Sequence, residues 1–126
     1  MSEHPTVFPT MSYRDADAAI EFLQSAFGAE PHAVYRGDDG RVRHAELRLG
    51  NGMVMLGPAD AAQGGGVYVV VADTDAHCAR AREAGAEIVR EPNDTDYGSR
   101  EYGARDPEGL AWHFGTYQPF EVAPTG

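Results

Sequence analysis

The sequence predicts an α+β fold made of two βαβββ modules within one domain, and three observations carry that prediction. The order of periodicities, one strand, one helix and then three strands, occurs twice along the chain. Two dipeptides suited to tight hairpins, Asp39-Gly40 and Asn51-Gly52, divide the strand-like runs of the first half. Short segments also repeat about half a chain apart. "FGAE" at 27–30 matches "AGAE" at 84–87, an offset of 57 that also carries Gly52 onto Gly109, and "DADA" at 15–18 resembles "DTDA" at 73–76 at an offset of 58. With 126 residues, 42% of them hydrophobic, the chain can bury one ordinary core. A single domain over 1–126 is therefore expected, with modules at about 5–57 and 66–117.

Each element has its own local reason. "TVFPTMSY" is a short apolar run that Pro9 keeps out of a strand interior unless it lies at an edge or bulge. "DADAAIEFLQSAFG" places Ala16, Ala19, Ile20, Leu23 and Phe27 at helical spacing, with acids in the first turn and Gly28 as the stop. "HAVYRG", "RVRHAELRLG" and "GMVMLG" then form a three-stranded meander. After the Gly-rich connector "PADAAQGGG", read as a flexible linker without phosphate-loop chemistry, the order recurs. "VYVVVA" is a strand, "DTDAHCARAREAG" a helix, "AEIVRE" a strand, and "SREYGA" with "LAWHFG" a hairpin turned by "RDPEG". In the second helix Cys78 shares a buried stripe with Ala81 and Gly85, and His77 is read as a helix-flank residue. His4 and "PFEVAPTG" are read as frayed ends.

Composition narrows the function classes. Ten basic against twenty acidic residues give a formal net charge of -10, which repels nucleic acid and anionic membranes. No apolar run reaches the roughly 20 residues of a membrane span, and "MSEHPTVFPT" lacks a basic start and an apolar signal core. A cytoplasmic protein is expected. Cys78 is the lone cysteine, so neither an intrachain disulfide nor a cysteine zinc site is available.

The duplicated βαβββ plan, together with "YRDADAAIEFLQSAFGAE", "HAELRLGNGMVMLG", "GAEIVREP" and "YGSREYGARDPEGLAWHFGTY", resembles the vicinal oxygen chelate superfamily. That group comprises glyoxalases, bleomycin-resistance proteins, fosfomycin-resistance enzymes and extradiol dioxygenases, and the likeness covers nearly the whole chain. It is closest to uncharacterised glyoxalase-like and bleomycin-resistance-like members. The resemblance implies two curved modules around a concave ligand cavity, often with a homodimer completing or swapping the site. It also implies a divalent ion held by one residue from the first and one from the fourth strand of each module, usually His and Glu, with open positions for two neighbouring substrate oxygens.

The residues at those positions depart from that pattern. Counting back seven from Asp15 lands on Phe8, and from Asp73 on Gly66; the fourth strand of the first module offers Met55 or Leu56, depending on the offset. His113 alone has a suitable donor, so no metal and no cofactor are expected. Strand parity aims His113 at the cavity, because its bulky neighbours Trp112 and Phe114 take the opposite face. In "RVRHAELRLG", Ala45, Leu47 and Leu49 form a face for a helix and leave Val42, His44, Glu46 and Arg48 on the cavity wall. The repeat pairs His44 with Glu101. The expected ligand-binding set is His113, His44, Glu101, Glu46, Phe8, Tyr97 and Arg100. In this set Phe8 supplies a hydrophobic floor, Tyr97 an aromatic face and a hydroxyl, and Arg100 a forked cation unless a carboxylate claims it.

The expected function is metal-independent binding of a small apolar or aromatic molecule, possibly drug-like, by a homodimer resembling bleomycin-resistance proteins. Two alternatives remain open at this point. One is a glyoxalase-type lyase or isomerase, or another small-molecule enzyme, using a noncanonical ion or acid/base residues around His113. The other is an accessory domain whose pocket side chains have closed.

Overall fold

The computed structural model describes residues 4–125. Residues 1–3, where the segment read for a leader begins, and residue 126 lie outside it. The first module runs β1 (Thr10–Tyr13), α1 (Ala16–Phe27), β2 (Glu30–Arg36), β3 (Val42–Leu49) and β4 (Gly52–Pro58). The second runs β5 (Val67–Val70), α2 (Thr74–Glu83), β6 (Glu87–Asp94), β7 (Arg100–Arg105) and β8 (Ala111–Gly115). Each module makes its own four-stranded sheet, in the orders β1-β4-β3-β2 and β5-β8-β7-β6. In both, the first strand lies parallel to the fourth and the remaining pairs are antiparallel.

The helices form where the periodicity requires. The Asp15 carboxylate accepts the Ala18 N–H at 3.0 Å, and Gly28 closes α1 at φ 76° in the left-handed region. Between these caps Ala16, Ala19, Ile20, Leu23, Ala26 and Phe27 are buried. Asp73 caps α2 in the same way through Ala76 N–H, also at 3.0 Å.

Several local readings need correction. The first hairpin of the meander is longer than a two-residue turn: Gly37 and Arg41 close it by a backbone bond around Asp38–Gly40. In the second, Leu49 pairs with Gly52, so the loop is Gly50-Asn51, with Gly50 at φ 60°, one residue earlier than the Asn-Gly dipeptide suggested. Val42 is buried, not on the outer wall, because a register shift between Tyr35 and Arg36 turns the start of β3 inward. The glycine linker is packed rather than loose. Ser12 and Gln63 exchange backbone hydrogen bonds of 2.9 and 3.0 Å, and a Cβ on Gly64 would stand 2.9 Å from Met11 Cγ. Within the C-terminal segment read as frayed, Pro119–Glu121 form a single 3-10 turn.

The helix-side faces of the two sheets share one core. Phe27 of α1 reaches across the modules to Phe114 and Trp112, with ring centroids 4.7 and 5.2 Å away, and both β8 residues are fully buried. The turn read as simple "RDPEG" chemistry adds a polar clamp. Buried Asp106 accepts hydrogen bonds from Tyr13 Oη (2.6 Å), Trp112 Nε1 (3.1 Å) and the Glu108 and Leu110 amides (3.1 and 3.0 Å). Glu108 accepts the Arg14 and Asp15 amides at 2.7 and 2.9 Å. Arg80 of α2 donates to the carbonyls of Ser25 and Gln24 at the C-terminal end of α1, where a cation also suits the helix dipole.

His77 is not a helix-flank residue. Its ring packs against Phe114 at 4.3 Å and Phe27 at 6.2 Å, and Nδ1 lies 2.5 Å from Tyr102 Oη. Burial disfavours the imidazolium and lowers the His77 pKa below its ordinary value of 6.5. The fold therefore prefers the neutral ring, while the unfolded chain takes up a proton first. Stability from this residue is complete above the unfolded value and is lost as pH falls through the depressed folded one.

Two outcomes follow from this packing. Leu23→Ala and Phe27→Ala should each lower the unfolding free energy by about 2–5 kcal/mol in denaturant titration, whereas an unchanged curve would refute the helix-face assignment. The melting temperature should fall as the pH drops below about 6.5, and His77→Gln should flatten that slope. An unchanged slope in the variant would assign it to other groups.

Candidate functional site

Because both helix-side faces are consumed by the shared core, the opposite sheet faces point outward, and they carry His44, Glu46, Glu101 and His113. Pairing across the parallel strands settles the repeat register. Thr10 stands beside Met55 as Tyr68 stands beside His113, an offset of 58. Met55, not the buried Leu56, is therefore the counterpart of His113. The four positions where the resemblance implies metal ligands are Phe8, Met55, Gly66 and His113. Phe8 is half-buried just before β1. One imidazole, a thioether, a phenyl group and a glycine do not form a donor set for a divalent ion. Among the described residues, no group of three or more His, Cys, Asp or Glu side chains is placed to share one.

On the first sheet His44 and Glu46 sit two residues apart along β3, with His44 Nε2 3.0 Å from Glu46 Oε2. Tyr35 of β2 stacks on the His44 ring at 5.9 Å and is 57% exposed, while Glu46 pairs across the sheet with Met55. The structure thus joins His44, Glu46, Tyr35 and Met55 on one face.

The second sheet carries His113 and Glu101. One cross-strand row runs Tyr68, His113, Gly103, Arg90 over β5, β8, β7 and β6. The neighbouring row includes Val70, Gly115 and Glu101. Glu101 is only 8% exposed. Tyr97 Oη lies 3.0 and 2.9 Å from its two oxygens, and Arg90 Nη2 stands 3.7 Å from Oε1. That hydrogen bond to the carboxylate raises the Tyr97 pKa. Tyr97 meets Tyr117 edge-on at 5.7 Å, and Tyr68 Oη donates to the Tyr117 carbonyl at 2.8 Å. A Cβ on Gly115 would stand 2.6 Å from Glu101 Cγ and 2.8 Å from Tyr68 Oη, so only glycine lets these side chains converge.

His113 is half-exposed and has no hydrogen-bond, ion-pair or ring partner among the described residues. Arg100 is claimed by carboxylates, as the sequence allowed: it binds Asp75 of α2 at 2.8 and 3.0 Å and Asp94 at 3.1 Å. Ser99 Oγ accepts the Tyr117 amide at 3.1 Å and so joins this group; Ser99, Tyr68, Arg90, Gly115 and Tyr117 were missed. Strand parity with Val70 could have found Tyr68, and the glycine ending β8 was the available signal for close side-chain approach at 115. Arg90 and Tyr117 join the cluster through bulges and a turn that periodicity does not encode.

A cleft of about 250 Å³ runs along the seam between modules, walled by Val7, Leu49, Met53, Val67 and Val69, with Tyr68 linking it to the second face. A second, apolar cavity of about 210 Å³ lies between α1 residues Ala18, Ala19 and Phe22 and the turn at Pro107. The groups on the outward faces are an imidazole without a partner among the described residues, a buried carboxylate, several tyrosines and apolar patches.

The comparisons agree with this architecture. A family model described as the Glyoxalase/Bleomycin resistance protein/Dioxygenase superfamily matches residues 6–114. An uncharacterised Mycobacterium bovis protein is 32% identical over 125 residues, covering 88% of this chain and 82% of its own. The crystal structure of TioX from Micromonospora sp. ML1 superposes with a TM-score of 0.79 at 32% identity, covering 93% of this chain and all of that one (100%). Glyoxalase I from Zea mays shares the fold at a TM-score of 0.72 and 20% identity, over 87% of this chain and 43% of its own. With its duplicated sheets, its family match across most of its length and its relatives at 32% identity, this chain belongs to the glyoxalase/bleomycin resistance protein/dioxygenase superfamily.

Proposed function

We propose that this protein binds a small apolar or aromatic molecule without a metal ion, in the manner suggested by its resemblance to bleomycin-resistance proteins. The observation that carries the reading is His113. It occupies the last of the four ligand positions and has no partner among the described residues, while the other three hold Phe8, Met55 and Gly66. Such a set replaces a metal cradle with an apolar floor and one hydrogen-bonding imidazole.

The outward faces support a homodimer. Tyr35, Tyr68, Val70, Val89 and Tyr97 are exposed, and a second copy laid over them would turn two shallow sheets into a walled cavity. In that arrangement the His44–Glu46 face of one copy would oppose the His113–Glu101 face of the other. Protection by sequestration would then need no chemistry, because a bound molecule is withheld from its target. A second reading rests on the His44–Glu46 contact and the Glu101–Tyr97 pair, which are able to move protons if a substrate is held between them.

His113→Ala should leave the melting temperature and the oligomeric state nearly unchanged and weaken binding of hits from a screen of aromatic small molecules by ~5-fold or more, as loss of one buried hydrogen bond does. A stability loss above ~3 kcal/mol would make His113 structural instead. Turnover of a hit that disappears in the variant would favour the catalytic reading.

A further inference from the structure

We infer that the second-sheet face anchors its ligand through an acid group, a carboxylate held between the His113 imidazole and the Arg90 guanidinium. The inference rests on the binding reading above and adds the charge and class of ligand, an aromatic or apolar carboxylic acid.

The geometry begins at Gly103. It lies in the middle of β7, between His113 and Arg90 in one cross-strand row. A glycine inside a strand weakens it and often marks a bulge, and Gly103 pairs with Arg90 between two register shifts of β6. Its backbone has no positive φ, and a Cβ would meet Val89 Cγ2 at 3.5 Å, His113 Nδ1 at 3.6 Å and Arg90 Cβ at 3.7 Å, all ordinary contacts. These distances place the His113 imidazole and the Arg90 stem on either side of Gly103 over the same face. Gly103 is itself buried beneath them.

Both groups have donors to spare. Among the described residues His113 makes no hydrogen bond. Arg90 makes none among them either; the one ion pair it makes there is the 3.7 Å approach to Glu101 Oε1, and both oxygens of that carboxylate are already within 3.0 Å of Tyr97 Oη. In this respect Arg90 differs from Arg36, Arg48, Arg82 and Arg100, each hydrogen-bonded to a carboxylate. The row sets Arg90 two strands from His113 on one face, and a guanidinium fork and an imidazole offer between them the donors that the two oxygens of a carboxylate accept. Val89 and Tyr68, both partly exposed, flank the pair and offer apolar surface to the rest of the molecule. Glu101 sets the limit on charge: it favours a monoanion over a multiply charged acid, and with the nearby tyrosines it is the feature that would favour a cation instead.

The test compares three molecules of one shape and different charge, benzoate, benzamide and benzamidine, titrated into the intact protein and read on the His113 ring resonances. Benzoate should bind at least ~10-fold tighter than benzamide, the scale of a charge-assisted hydrogen bond. Arg90→Gln and His113→Gln should each erase that preference with the melting temperature unmoved. Benzamide or benzamidine matching benzoate would overturn the acid anchor and leave the binding reading standing. A preference that survives both substitutions would overturn the assignment to these residues. Failure of all three to bind at tens of millimolar would remove the anchor and count against the binding reading itself.

Discussion

The packing of Phe27 onto Trp112 and Phe114 is the constraint on which the rest of the structure depends. It commits the helix-side faces of both sheets to one shared core, so the opposite faces can only point outward. Asp106 reinforces that choice from the second module by gathering Tyr13, Trp112 and two amides. A buried carboxylate with four donors is tolerated because each hydrogen bond offsets desolvation. Each group left unpaired would cost roughly 1–3 kcal/mol. The orientation of the candidate site is thus a consequence of core packing.

Much of the fold was legible because it rests on local signals. The spacing of Ala19, Ile20, Leu23 and Phe27 defines α1, and the alternation of Trp112, His113 and Phe114 defines which face of β8 is buried. The errors fall where a neighbour overrides the local pattern. Val42 turns inward at a bulge, and the turn at Gly50-Asn51 is chosen by the register of Leu49 with Gly52. His77 gave no periodic signal of burial, since its environment is assembled from α1, β7 and β8.

The site was legible in part for the same reason. Parity placed His44, Glu46 and His113 on outward faces, and the repeat offset that paired His44 with Glu101 matches β3 to β7 as the strand pairings do. The sequence left Met55 and Leu56 as rival counterparts of His113, because the second hairpin connection is one residue longer and only strand pairing shows where that residue goes. Arg90, Ser99 and Tyr117 were not legible: they reach the cluster from a bulged strand, a turn and a tail segment. The family match accounts for the fold, and the residues Phe8, Met55 and Gly66 depart from the donor pattern that the resemblance implies.

The central claim is that this face works through side chains, not through a bound ion. Elemental analysis of untagged protein, with melting temperatures taken with and without a chelator, tests it most directly. The account predicts far less than one metal ion per chain and no shift on chelation. Near-stoichiometric nickel, zinc, manganese or iron, with a melting temperature lowered by the chelator, would contradict it.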